Sequence, residues 1–293
     1  MSVADLAARL TRRSRSNFYY AFLTLPRPRR EALYAVYAFC RTVDDIADLG
    51  VDGVADAGAQ HAALAAWRQE VARCYDPSGE PGHPIARQLA TAVRAYRIPR
   101  EALEAIIDGV EMDVEGATFE AADELYPYCY RVASAVGLCC IEIFGYTDAR
   151  ARPYAIELGQ ALQLTNILRD VGTDARNGRV YLPRADLRAF GVTVDDLRAG
   201  RYDESFVALM TRAAARARES YRRADALFPH VDARSLVPAR IMGAIYAALL
   251  EEIEARRFRV FGERITIPAR RKVAIALRCW ASGRLRGRKP RAA

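Results

Sequence analysis

Two acidic clusters dominate the chemistry of this chain: Asp44-Asp45-Ile46-Ala47-Asp48 and, about 120 residues later, Asn166-Ile167-Leu168-Arg169-Asp170-Val171-Gly172-Thr173-Asp174. A helix turns by about 100° per residue, so a spacing of four returns a side chain to nearly the same face. Asp44 and Asp48 therefore point together, and Asn166, Asp170 and Asp174 form a second row. Helices often carry such i,i+4 acids on solvated faces or in salt bridges. Here Val43, Ile46, Leu49, Leu162, Leu164, Ile167 and Leu168 leave no broad polar stripe to hold them. The pattern is an oxygen-ligand set on core-facing surfaces.

Such oxygens suit Mg²⁺, which takes carboxylates, amide oxygens and water and completes its shell with substrate phosphates. An acidic surface alone repels a diphosphate, so metal ions must bridge the two. Metal-held diphosphate is a leaving group whose developing charge is neutralised as a carbon–oxygen bond breaks. The allylic cation left behind needs a dry, apolar and aromatic pocket. Phe18, Tyr19, Tyr20, Phe22, Tyr34, Tyr37, Phe39, Tyr126, Tyr128 and Tyr130 are candidates for its walls, though core packing accounts for most of them. Arg41 precedes Asp44 by three residues and Arg169 adjoins Asp170; each could grip phosphate oxygens or hold neighbouring carboxylates ionised. Arg179, Tyr181 and Arg264 are further candidates for the mouth of the site.

The elements that must position these residues are helical. Apolar periodicity predicts helices near 2–13, 29–48, 57–75, 83–95, 99–117, 121–145, 150–173, 202–228, 236–258 and 267–282. Pro99, Pro153, Pro238 and Pro268 fit helix starts. Strand signal is confined to pieces such as Arg179-Val180-Tyr181-Leu182, so the expected fold class is all-α. The main irregular stretch, 174–201, follows the second acidic row, where a loop could close over a ligand. One domain over 1–283 and a basic flexible tail over 284–293 are expected.

Composition narrows the class. The chain has 293 residues, 52% hydrophobic and 27% charged, as in a globular enzyme. It shows no apolar run of the ~20 residues that a bilayer span requires, and no signal-peptide core, so a cytoplasmic location is expected. Six cysteines without CxxC pairing and three histidines argue against zinc or a disulfide framework. Much of the net charge of +8 sits in Arg284-Leu-Arg-Gly-Arg-Lys-Pro-Arg291, which could touch anionic lipid or nucleic acid, or simply aid solubility. Nucleic acid is not the expected partner.

Four stretches resemble one family: Ser16-Asn-Phe-Tyr-Tyr-Ala-Phe22, Tyr34 through Asp48, Tyr128-Cys-Tyr-Arg-Val-Ala-Ser-Ala-Val-Gly137, and Leu162-Gln-Leu-Thr-Asn through Gly178-Arg-Val-Tyr-Leu-Pro183. Their order and separation over roughly residues 10–280 are similar to the squalene/phytoene synthases, the head-to-head prenyltransferases. The resemblance implies a single-domain isoprenoid synthase bundle around a central cavity, with Mg²⁺, three ions once diphosphate is bound, held by Asp44, Asp48, Asn166, Asp170 and Asp174. It makes Tyr128 the family's proton-transfer tyrosine. It places Asn17, Tyr20, Arg41, Gln163, Arg169, Arg179, Tyr181, Tyr246 and Arg264 at diphosphate or cavity contacts. Asn17 departs from the usual serine, although it too can hydrogen-bond a phosphate.

Within the family, Gly178–Pro183, Met242-Gly-Ala-Ile-Tyr246 and Ile253 to Phe261 look most like the presqualene diphosphate synthases of the hopanoid squalene route. That implies farnesyl diphosphate as substrate and no NADPH for this half-reaction. Substrate and product would both be amphiphiles, so peripheral contact with the inner membrane, for which the basic tail is the only visible support, and with downstream squalene-route enzymes is a further expectation. The alternatives are phytoene formation from C20 substrates, hydroxysqualene or squalene synthesis and, more remotely, a non-catalytic assembly subunit. With an ordinary tyrosine pKa near ~10, Tyr128 is a poor base, so released diphosphate is the expected proton acceptor with Tyr128 positioning it.

Overall fold

The computed structural model describes residues 21–51, 53–54 and 56–286. Asn17 and Tyr20, with Phe18 and Tyr19, lie outside the described residues, as do the tail residues beyond 286. The helices are α1 (Arg27–Leu49), α2 (Ala57–Tyr75), α3 (Pro84–Tyr96), α4 (Arg100–Val114), α5 (Ala122–Cys129), α6 (Ala135–Phe144) and α7 (Ala151–Arg176). They continue with α8 (Arg184–Ala189), α9 (Val194–Ala199), α10 (Glu204–Leu227), α11 (Val237–Ala255) and α12 (Ala269–Arg286). Among the described residues the only β-pairing is an isolated bridge between Val51 and Val54.

The long helices end within a few residues of the periodicity. Two sequence readings differ from the structure. Arg179–Leu182 forms no strand: the segment is irregular, and its side chains reach neighbouring helices, Arg179 bonding Asp48 and Tyr181 bonding Asp113. The irregular stretch 174–201 also contains α8 and α9, which are too short for a periodic signal. Local chemistry explains α9: Thr193 and Asp196 cap it reciprocally, and Gly200 ends it at φ 70°.

α7 is the central helix, with buried residues from Ala151 to Ala175 on nearly every side. It packs against α6, α10 and α11. It also crosses the stretch joining α5 to α6, where five residues, Tyr130–Ser134, form a π-helical turn. A Cβ on Gly159 of α7 would lie 2.5 Å from the Ser134 Cα, so only glycine allows this crossing. Pro127 sits just before that turn, inside α5. It removes one amide donor from the helix just ahead of the turn. The turn places Val132 and Ala133 on a cavity wall, one turn beyond Tyr128.

The continuous segment Ala122–Phe144 has the length and apolar character of a membrane span, which the sequence reading did not register. It is a core helix here: Leu125, Tyr128, Cys129, Ala135, Leu138, Cys139, Ile141, Ile143 and Phe144 are all buried in the bundle. A helix apolar all round is what the centre of a large bundle requires.

Candidate active site

α1, α6, α7, α11 and the π turn enclose a cavity of about 290 Å³. Its wall is apolar and aromatic over most of its extent, with Phe22, Tyr37, Val132, Val136, Ile141, Phe144, Leu158, Leu162 and Met242, plus the thiols Cys40 and Cys140. Of the expected aromatics, Phe22 and Tyr37 face it, whereas Phe39 packs edge-on against Trp67 in the core. Asp44 and Arg41 come from α1, Gln163 and Asn166 from α7, and Tyr246 from α11. One member of each row, Asp44 and Asn166, thus lines the same hollow, whereas Asp48, Asp170 and Asp174 lie off its wall.

Arginines organise the rim. Arg179, in the irregular segment after α7, donates to Asp48 Oδ1 at 2.7 Å and to the Ala47 carbonyl at 2.8 Å. It thereby ties the end of α7 to the end of α1. Asp170 accepts from two guanidinium groups: Arg169 Nε at 2.8 Å with a second contact from Nη2, and Arg264 at 3.1 and 2.9 Å. The Tyr246 hydroxyl also acts electrostatically on Arg169. Arg41 pairs with Asp45 at 2.5 Å, although it lies on the cavity wall beside Asp44.

The carboxylates respond to these partners in opposite ways. Burial pushes Asp170 upward, but Arg169 and Arg264 more than offset it and hold the group below its ordinary value. Asp44 is pushed up to about 7, by burial and then by Asp48, with Arg41 only partly opposing. Asp174 is also raised to about 7, by burial and then by Asp170, against Arg179. Asp48 and Asp174 fall in the last turns of α1 and α7, where the helix dipole disfavours negative charge. The negative charge gathered here exceeds what the arginines neutralise.

A further carboxylate, Asp113 in the last turn of α4, escaped the sequence reading because its neighbours Glu111 and Glu115 make it look like a solvated face. It is largely buried, and burial raises its pKa despite hydrogen bonds from two tyrosines. Tyr181 donates to Oδ1 at 2.7 Å, and Tyr128 lies 3.1 Å from both oxygens. The two phenol rings stack at 5.0 Å. Asp113 feels Asp44, Asp48 and Asp174 electrostatically, so it sits between the rows. Burial and Asp113 push the Tyr128 phenol well above its usual range. Tyr128 and Tyr181 reach the site through Asp113 and are not part of the cavity wall.

Divalent cation chemistry can be tested on these residues directly. Among the described residues no three His, Cys, Asp or Glu side chains converge into a ready-made metal cage. Mg²⁺ does not require one, since one or two carboxylates with phosphate oxygens and water suffice. Asn166 Oδ1 is buried with no hydrogen-bond partner, while its Nδ2 donates to Gln163 at 3.3 Å. An orphaned amide oxygen beside mutually repelling carboxylates fits a hard cation shared with a ligand.

Sequence and structure comparisons identify the family and the fold. The family profile described as Squalene/phytoene synthase matches residues 11–271. A presqualene diphosphate synthase of Rhodopseudomonas palustris is 40% identical over 266 residues, covering 89% of this chain and 92% of its own. A phytoene synthase of Mycobacterium tuberculosis is 37% identical over 276 residues, covering 93% and 89%. Among solved structures, a dehydrosqualene synthase with bound ligand superposes at TM-score 0.83 with 26% identity, covering 96% of each chain. The squalene synthase HpnC of Alicyclobacillus acidocaldarius superposes at 0.75 with 32% identity, covering 87% and 94%. The chain belongs to the squalene/phytoene synthase family, prenyltransferases of the all-α isoprenoid synthase fold that join two isoprenoid units head to head.

Proposed function

We propose that the protein condenses two farnesyl diphosphates into presqualene diphosphate, with Mg²⁺ held by Asp44, Asp48, Asn166, Asp170 and Asp174. The observation that carries this reading is that each row contributes one residue, Asp44 and Asn166, to the polar part of one otherwise apolar cavity wall. Mg²⁺ bound there would neutralise the charge that develops on the departing diphosphate. Arg41, Arg169, Arg179 and Arg264 surround that part and supply guanidinium groups for phosphate oxygens. Gln163 and Tyr246 add neutral polar contacts on the wall. The apolar lining keeps water from an allylic cation, and Phe22 and Tyr37 offer aromatic faces to it.

Carbon–carbon bond formation follows when the 2,3 double bond of the second molecule attacks C1 of the first. Loss of one proton then closes the cyclopropane. Tyr128 is ill suited to take that proton as a base: its phenol is buried, holds its own proton strongly and faces Asp113. Released diphosphate is the acceptor in this reading. The Asp113–Tyr128–Tyr181 cluster fixes the geometry at the rim.

A second reading, coupling of two C20 diphosphates to phytoene, draws support from the mycobacterial relative's name. Purified protein with Mg²⁺, no reductant, and either C15 or C20 diphosphate separates the two. A C30 cyclopropyl diphosphate supports the proposal; phytoene, or a C15 alcohol alone, overturns it.

A further inference from the structure

The last helix carries a surface that the reaction does not use. In α12, Val273, Leu277 and Trp280 are 44%, 62% and 40% exposed, at the spacing of one helical stripe. Ile275 and Cys279 occupy the opposite face and are buried against the bundle. Arg270 and Arg278, both exposed, lie on the solvent side with the small residues Ala274 and Ala281. No other helix exposes three large apolar side chains in a row among the described residues.

Charge distribution selects the partner. From residue 269 to the C-terminus the sequence has nine Lys and Arg and no Asp or Glu. Removing those nine from the total of 44 leaves 35 basic residues against 36 acids. The entire positive excess of the protein therefore belongs to this final segment. A second copy of the same segment would be repelled, and a nucleic acid would find no use for the apolar stripe. An anionic lipid surface meets both features: basic residues are drawn to its negative surface potential, and apolar side chains insert below the headgroups.

The placement gives the surface a purpose. The Arg240 guanidinium bonds Ser282 at 3.1 Å, fixing α12 to α11, whose Ala239, Met242 and Tyr246 line the cavity. Near the other end, Arg264 bonds Asp170 just ahead of α12. We propose that the outer face of α12 is an interfacial docking surface for anionic lipid, bringing the polar rim of the cavity to the bilayer where prenyl amphiphiles partition. The surface stands on its own observations, whereas its role in substrate exchange rests on the prenyl diphosphate reading.

The full-length protein is tested by sedimentation with vesicles of phosphatidylcholine alone and of phosphatidylcholine with 30% phosphatidylglycerol, at low and high salt. The chain has two tryptophans, and Trp67 is buried in the core, so a blue shift on vesicle addition reports Trp280. Expected are salt-sensitive binding to the anionic vesicles, a blue shift, and at least a tenfold loss of binding in both Val273→Asp/Leu277→Asp and Arg270→Glu/Arg278→Glu. Turnover of detergent-dispersed substrate should be unchanged in these variants. Equal binding to neutral vesicles, full binding by the Asp variant, or retention by nucleic acid without vesicle binding would each overturn the proposal. Vesicle binding by a wild-type protein that turns over neither C15 nor C20 diphosphate would instead sink the functional reading and leave the surface standing.

Discussion

The two acidic rows are not equivalent, and the difference lies in their arginines. In the first, Asp48 is held from across the mouth by Arg179, while Arg41 turns to Asp45 and leaves Asp44 exposed to like charge. In the second, Asp170 is gripped by Arg169 on its own helix and by Arg264 from the segment before α12, and Asp174 is left uncompensated. Each row thus pairs one neutralised carboxylate with one strained one. Neutralised members preorganise the rim, and strained members gain most from an incoming cation. If both rows serve one diphosphate, losing either should be equally damaging.

The largest expected effect therefore comes from Asp44→Ala and Asp170→Ala. Each should lower kcat/KM by at least ~10³-fold, about 4 kcal/mol of transition-state stabilisation. Thermal unfolding of Asp44→Ala should change little. Steady-state kinetics with Mg²⁺ checks this, and a variant of one row that retains near-normal turnover would show that only the other row handles the reacting diphosphate. Next comes Asp113, which belongs to neither row but answers to both. Asp113→Asn should lower kcat by roughly 10²-fold, on the scale of losing one preorganised polar group, and Tyr128→Phe should fall near the same value. A much smaller loss in Asp113→Asn than in Tyr128→Phe would separate the tyrosine from its acceptor.

The backbone that holds the rows together supplies a stability test. Gly159→Ala forces a methyl against Ser134 Cα, where the π turn crosses α7. Overpacking at such a crossing should destabilise by about 1–3 kcal/mol, measured by chemical denaturation. Gly178→Ala offers the contrast: its Cβ would meet open space, so only its φ of 82° opposes the change.

How far the sequence disclosed this arrangement follows from the range of its signals. Helix identity was legible because periodic burial is local, and the two rows because i,i+4 spacing maps directly onto a helix face. Asp113 was hidden: it sits among acids on α4, and its burial comes from Tyr128 and Tyr181, 15 and 68 residues away. Arg179 and Tyr181 were legible as site candidates, but not as a bracket. Their partners lie on α1 and α4, and an irregular segment has no period to read. The pairing of Arg41 with Asp45 rather than Asp44 was equally out of reach, since rotamer choice depends on what fills the cavity side.

The finest test asks whether neighbouring acids carry opposite pH signatures in protein freed of divalent ions by chelation. Asp44 rises from an ordinary 3.8 to about 7 on folding, so between those values the unfolded chain has already lost the proton that the folded one keeps. Stability then falls as pH rises through that window. Asp44→Asn removes the penalty and should be more stable than wild type at pH 8, with the gap closing toward pH 4. Asp170 is held below its ordinary value, so its contribution is present above pH 3.8 and is lost as acid protonates it. Asp170→Asn should accordingly be less stable than wild type at pH 8 and converge with it at low pH. Effects on the order of 1 kcal/mol correspond to about 2–4 °C at this chain length, within reach of thermal melts. Two curves of the same sign would mean that the arginines do not set Asp170 apart from Asp44 as the geometry indicates, whereas opposite signs that collapse when Mg²⁺ and inorganic diphosphate are added would tie the strained carboxylates to the ligand.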